Sequence, residues 1–218
     1  MELVGKAFLI ALVITLVMGF LLIPWLKRLK FGQNIRSDGP SRHLQKAGTP
    51  TMGGIIFLIG MLAAVLFVAP QRVDALAVLA LTLGYGLIGF IDDYIKIVFK
   101  RSLGLRAREK LLGQIILALL LAIGVVFWLD TGTDLVVPFS GYAVDGGIRL
   151  EMGLWLFLAF TIFVMVGTAN AVNLTDGLDG LAAGASLVVA LAMMLLSLQA
   201  GKEGVAVVMA AMSGGCLG

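Results

Sequence analysis

Residues 7–26 read Ala-Phe-Leu-Ile-Ala-Leu-Val-Ile-Thr-Leu-Val-Met-Gly-Phe-Leu-Leu-Ile-Pro-Trp-Leu, twenty residues without one charged side chain. As an α-helix this stretch reaches about 30 Å, the thickness of the hydrocarbon core of a bilayer. Five further apolar runs follow, at about 51–69, 75–91, 111–129, 152–172 and 181–200. Each is close to membrane-spanning length, so six spans in an all-α polytopic bundle are expected. A seventh run opens at Val205 and reaches only Gly218, which reads as a span cut off inside its helix. Residues 1–218 therefore read as one integral-membrane domain, incomplete at its C-terminus, with no internal boundary and no repeat.

Composition supports this reading. The chain is 60% hydrophobic and 13% charged, with a mean hydropathy of +1.06. That excludes a water-soluble domain, a disordered chain and a disulfide scaffold, the last because Cys216 is the only cysteine. The first run is not a cleavable leader: Glu2 precedes it, no small-x-small site follows it, and its basic residues come after it.

Net charge is only +3, but the charges are clustered. Twelve of the sixteen basic residues fall in 27–50 and 92–110. The positive-inside rule then places both segments, and 173–180 with them, in the cytoplasm, with the N-terminus outside. On this assignment the inner side carries twelve bases against six acids, and the outer side four against seven. The outer connection 130–151 holds Leu135 to Phe139 and Ile148 to Leu150 around Gly146-Gly147. A short hairpin and a solvated loop fit that segment equally.

Polar residues that burial does not require gather at the inner boundary. Asp92-Asp93 follows a span ending Gly-Phe-Ile, where two carboxylates face the negative end of a helix dipole and call for a cation. Lys96, one turn on, supplies one; a divalent metal is the other candidate. In Asn173-Leu-Thr-Asp-Gly-Leu-Asp-Gly180 the spacing of Asn173, Asp176 and Asp179 puts an amide and two carboxylates on one face of a helical turn. A capped interhelical turn is the bland alternative, which needs only one such residue.

Arg42 to Gly54 contains Lys46-Ala-Gly-Thr-Pro-Thr-Met-Gly-Gly, with Thr49 as N-cap and Pro50 at the first helical position. Free N–H groups at such a start, beside Lys46, suit an anion. His43 is the only histidine, so no histidine-built metal site is possible in this chain. The basic stretch Lys96 to Lys110 suits lipid headgroups, and Lys110, nearest the bilayer, suits a further role. Gly84-Tyr85-Gly86-Leu87-Ile88-Gly89 fits a dinucleotide-binding pattern but lies inside an apolar run with no strand before it. Close helix packing explains it better. Acids suited to a divalent cation beside groups suited to phosphate point to metal-assisted phosphoryl transfer on a lipid or nucleotide substrate. A transporter would carry charges in mid-span, and these spans are nearly free of them. A scaffold would leave the motifs unexplained.

These motifs together resemble those of the phospho-N-acetylmuramoyl-pentapeptide transferases, a branch of the polyprenyl-phosphate N-acetylhexosamine-1-phosphate transferase superfamily of glycosyltransferase 4 type. They are Lys46-Ala-Gly-Thr-Pro-Thr-Met-Gly-Gly, Asp92-Asp93-Tyr94 and Asn173-Leu-Thr-Asp-Gly-Leu-Asp-Gly. The resemblance runs along the whole chain, in the family's motif order. It implies a multi-pass enzyme of the bacterial inner membrane, with its active site on the cytoplasmic face. Such an enzyme moves the phosphosugar of UDP-N-acetylmuramoyl-pentapeptide to undecaprenyl phosphate, releasing UMP and forming lipid I for peptidoglycan. The neighbouring branch uses UDP-N-acetylglucosamine instead.

By the same resemblance Asp92, Asp93, Asp176 and Asp179 are catalytic candidates. Lys46, Thr49, Thr51, Lys96, Lys110 and Asn173 are expected at the substrate. Mg2+ is implied, with Asp92 and Asp176 as candidate ligands and the principal one, in a Gly-Asp-Thr-Gly motif, expected beyond Gly218. The family has ten spans and continues through that motif and a histidine-rich loop, neither of which is in residues 1–218, so this chain alone is expected to be inactive. The implied partners are the two substrates and the bilayer, not nucleic acid, and a homodimer is left open.

Overall fold

The computed structural model describes residues 1–28, 52–99, 104–129, 131–137, 140–141 and 146–218. Lys46, Thr49 and Thr51, expected at the substrate, lie outside the described residues, as does His43. Seven helices are described: α1 (Glu2–Arg28), α2 (Gly54–Val68), α3 (Val73–Val98), α4 (Ala107–Phe127), α5 (Gly153–Thr175), α6 (Leu181–Gln199) and α7 (Glu203–Leu217). Two short strands, β1 (Asp134–Val136) and β2 (Arg149–Glu151), pair antiparallel with Leu135 opposite Leu150. Of the two alternatives for the segment 130–151 the described residues thus pair as the hairpin, and Arg149 Nη1 meets Asp134 Oδ2 at 3.3 Å across it.

Among the described residues five helices, α1, α3, α4, α5 and α6, are long and apolar enough to cross a membrane, where six are expected. The shortfall is α2, whose 15 residues extend only about 22 Å. Its start is the reason. Met52 holds φ at +69°, which no right-handed helix passes through, so α2 begins at Gly54; the Thr49-Pro50 start expected from the sequence lies outside the described residues. The apolar run there is longer than the helix it makes.

The seventh run is helical and too short to span, as expected. It forms the 15-residue α7, and this helix is the centre of packing, with Ala206, Val207, Val208, Ala210 and Ala211 all buried. Helices α1, α2, α3 and α6 surround it. Its small residues let the neighbouring backbones approach, as membrane helices require where hydrophobic burial does not drive association. A Cβ on Gly214 would run into the Phe8 carbonyl, and one on Gly60 of α2 into the Thr15 hydroxyl of α1. The rejected dinucleotide pattern is likewise helix throughout. A Cβ on Gly86 would stand 2.7 Å from Leu58 and one on Gly84 3.0 Å from Leu117, so these glycines seat α3 against α2 and α4.

Candidate active site

Helix α3 does not stop where its apolar run ends. It continues to Val98, carrying Asp92, Asp93 and Lys96 inside its last turns. Spacings of three and four place the lysine over both acids. Lys96 Nζ stands 2.6 Å from Asp92 Oδ2 and 3.1 Å from Asp93 Oδ1. The cation that the helix dipole calls for is therefore in place. Asp92 is buried, with its side chain 12% exposed, whereas that of Asp93 is 34% exposed.

The connection to α4 closes over Asp92. Leu105 N–H donates to Asp92 Oδ1 at 2.9 Å, so both carboxylate oxygens have partners. Gly104 makes this approach possible. It holds φ at +58°, and a Cβ there would stand 2.5 Å from Asp92 Oδ1 and 2.9 Å from both Asp92 O and Lys96 Cε. Helix α4 then starts at Ala107, where Glu109 Oε2 accepts the Arg106 N–H at 3.0 Å and caps the first turn.

Lys110 belongs to that first turn, and its Nζ donates to Asn173 Oδ1 of α5 at 2.9 Å. Two of the expected substrate residues, from separate motifs, thus meet. The spacing argument for Asn173, Asp176 and Asp179 does not hold, because α5 ends at Thr175. Asp176 is its C-cap, with ψ at 51°; Asp179 lies in the turn that Gly180 closes at φ +79° before α6. Asn173 stays in the last turn of α5 while Asp176 and Asp179 lie in the connection to α6, so the three do not share one helix face.

Sequence reasoning missed the polar contacts one turn further into the bundle. Asn170 Nδ2 donates to Gln114 Oε1 at 2.8 Å, joining α5 to α4, and Tyr85 OH of α3 donates to the Gln114 carbonyl at 3.0 Å. Gln114 is the one amide in the run 111–129, and that solitary polar group was the available signal.

The donor set does not complete a metal centre. Among the described residues no three of His, Cys, Asp and Glu gather where they could hold an ion. Asp92, a candidate ligand, already gives its oxygens to Lys96 and Leu105. What the residues do provide is a paired carboxylate and lysine beside a lysine and amide, all at one end of the bundle.

A profile of glycosyl transferase family 4 matches residues 75–218, about two thirds of the chain and all of this arrangement. The chain belongs to glycosyl transferase family 4. A signature described as phospho-N-acetylmuramoyl-pentapeptide-transferase signature 1 matches residues 46–58, the Lys46 to α2 segment. Among curated relatives in this family, the phospho-N-acetylmuramoyl-pentapeptide-transferase of Pelotomaculum thermopropionicum is 63% identical over 212 residues, covering 97% of this chain and 65% of the relative. That of Desulforudis audaxviator is 57% identical over 216 residues, covering 96% and 65%. That of Desulforamulus reducens is 56% identical over 213 residues, covering 96% and 62%. The chain thus spans just under two thirds of the length of these family 4 relatives.

Proposed function

We propose that the full-length protein transfers phospho-N-acetylmuramoyl-pentapeptide from its UDP carrier to undecaprenyl phosphate, yielding lipid I and UMP. The activity for which the relatives are named and the signature over residues 46–58 support this reading. The structural observation that carries it is the Lys110–Asn173 contact at 2.9 Å at the end of the bundle that holds Asp92 and Asp93. The site faces the cytoplasm of a bacterial inner membrane, where the clustered bases 92–110 belong by the positive-inside rule.

In the reaction a phosphate oxygen of the lipid attacks the β-phosphorus of the UDP-sugar. A new phosphoanhydride bond forms, the α–β bridge breaks, and UMP leaves with the electron pair. Lysines stabilise this transfer by facing the charge that accumulates on the diphosphate; Lys96 and Lys110 have that role here. Asp93, the more exposed acid, takes any proton the attacking phosphate carries. Asp92 holds Lys96 in place, while Asp176, Asp179 and Asn173 contribute to the nucleotide side. Mg2+ belongs to the proposal through the family alone, since these residues do not complete its site.

The test is UMP release by the full-length protein with undecaprenyl phosphate and each of two donors. Release from UDP-N-acetylmuramoyl-pentapeptide and not from UDP-N-acetylglucosamine is expected. The reverse preference would move the protein to the neighbouring branch, and no release from either would refute the assignment.

A further inference from the structure

Helices α4 and α5 meet through two polar rungs. The outer one joins Lys110 to Asn173 and the inner one joins Gln114 to Asn170. Gln114 follows Lys110 by four residues and Asn170 precedes Asn173 by three, so each pair sits on one helix face. Gln114 is 3% exposed, and Asn170 Nδ2 also donates to Val166 O at 2.8 Å, so both amides are held firmly.

Gln114 is buried and Asn170 partly so, and burying an amide in a membrane is costly unless it is hydrogen-bonded. The pair's distinguishing property is register. Sliding either helix by one residue turns its side chains by about 100° and separates the partners. Tyr85 adds α3 to the same point through the Gln114 carbonyl. Since α3 carries Asp92 and Asp93, the side-chain rung and this backbone contact together join at Gln114 all three helices that supply the site.

We propose that Gln114 and Asn170 are positioning residues: their hydrogen bond sets the register of α4 against α5 and thereby the placement of Lys110 and Asn173 at the donor nucleotide. The proposal rests on the functional reading above for the identity of the substrate, but not for the register itself.

Two measurements on the full-length protein test it. In kinetics, Gln114→Met and, separately, Asn170→Ala raise KM for the UDP-sugar about five- to tenfold while KM for undecaprenyl phosphate stays put; combined, they do little more than either alone. Restoring the rung by exchange, Gln114→Asn with Asn170→Gln, recovers part of the loss. A general packing defect would move both KM values together, and that result, or no change in either, overturns the proposal. In geometry, Lys110→Cys and Asn173→Cys, in a full-length background from which Cys216 and every other native cysteine has been removed, are joined by a short bifunctional thiol reagent. Joining slows several-fold when Gln114→Met is added; an unchanged rate overturns the proposal even if the protein uses another substrate. A wild-type protein that turns over neither UDP-sugar defeats the functional reading alone, and the joining rate then decides the register.

Discussion

Lys110 and Asn173 stand 63 positions apart in the chain, and Lys110 Nζ donates to Asn173 Oδ1 at 2.9 Å. The contact is exposed, so it adds little to the fold, about 0.5 kcal/mol. Its consequence is positional: the amide fixes where the ammonium points. Lys110→Ala and Asn173→Ala should each weaken binding of the UDP-sugar. A double-mutant cycle on binding should give a coupling of about 0.5–1 kcal/mol. Additive effects would mean that the two residues act separately.

Lys96 neutralises two acids in the last turns of α3, one of them buried. Lys96→Met should lower stability by about 1–3 kcal/mol, less than for a fully buried pair because the lysine is partly exposed. Adding Asp92→Asn should restore much of that stability, read as the thermal unfolding midpoint. Lipid I formation should stay lost in both variants, which separates the structural part of the pairing from the catalytic part.

Gly104 is required twice, for its φ of +58° and for the space beside Asp92. The backbone conformation alone costs a residue with a Cβ about 1–2 kcal/mol. Gly104→Ala should therefore lose the Leu105 N–H to Asp92 bond and reduce turnover. Gly104→Asn separates the two requirements, since asparagine tolerates the left-handed region but still brings a Cβ. Turnover should remain low in Gly104→Asn; full recovery would show that only the conformation matters.

The core around α7 depends on close backbone approach. Gly214→Ala places a methyl group against the Phe8 carbonyl and should cost about 1–3 kcal/mol, the range for overpacking. Gly5→Ala, where a Cβ meets nothing within 4 Å, is the control and should unfold at or above the wild-type midpoint. Equal losses at both positions would contradict the packing described.

What was legible in the sequence follows from which interactions are local. Apolar runs marked the helices because lipid demands unbroken hydrophobic length. The compensation of Asp92 and Asp93 by Lys96 was legible because it is an i,i+3 and i,i+4 relationship within one helix. Helix ends were not, since α3 carries charged residues past its apolar run once they are paired. The left-handed turn at Met52 is taken by a residue that rarely adopts it, with three glycines and a proline nearby to mislead. The spacing of Asn173, Asp176 and Asp179 suggested a helical face, but the chain leaves the helix at Asp176. The Gln114–Asn170 rung was invisible because nothing in either helix names its partner on the other.

The central claim is that phosphosugar transfer takes place at the end of the bundle where Asp92 and Asp93 flank Lys96. The most direct measurement compares lipid I formation and UDP-sugar binding for full-length wild type and Asp93→Asn, with undecaprenyl phosphate in excess. Turnover should fall by about a hundredfold or more, the range for a lost acid–base group, while the dissociation constant of the UDP-sugar changes little. Turnover at the wild-type rate would exclude Asp93 from the chemistry and contradict the account.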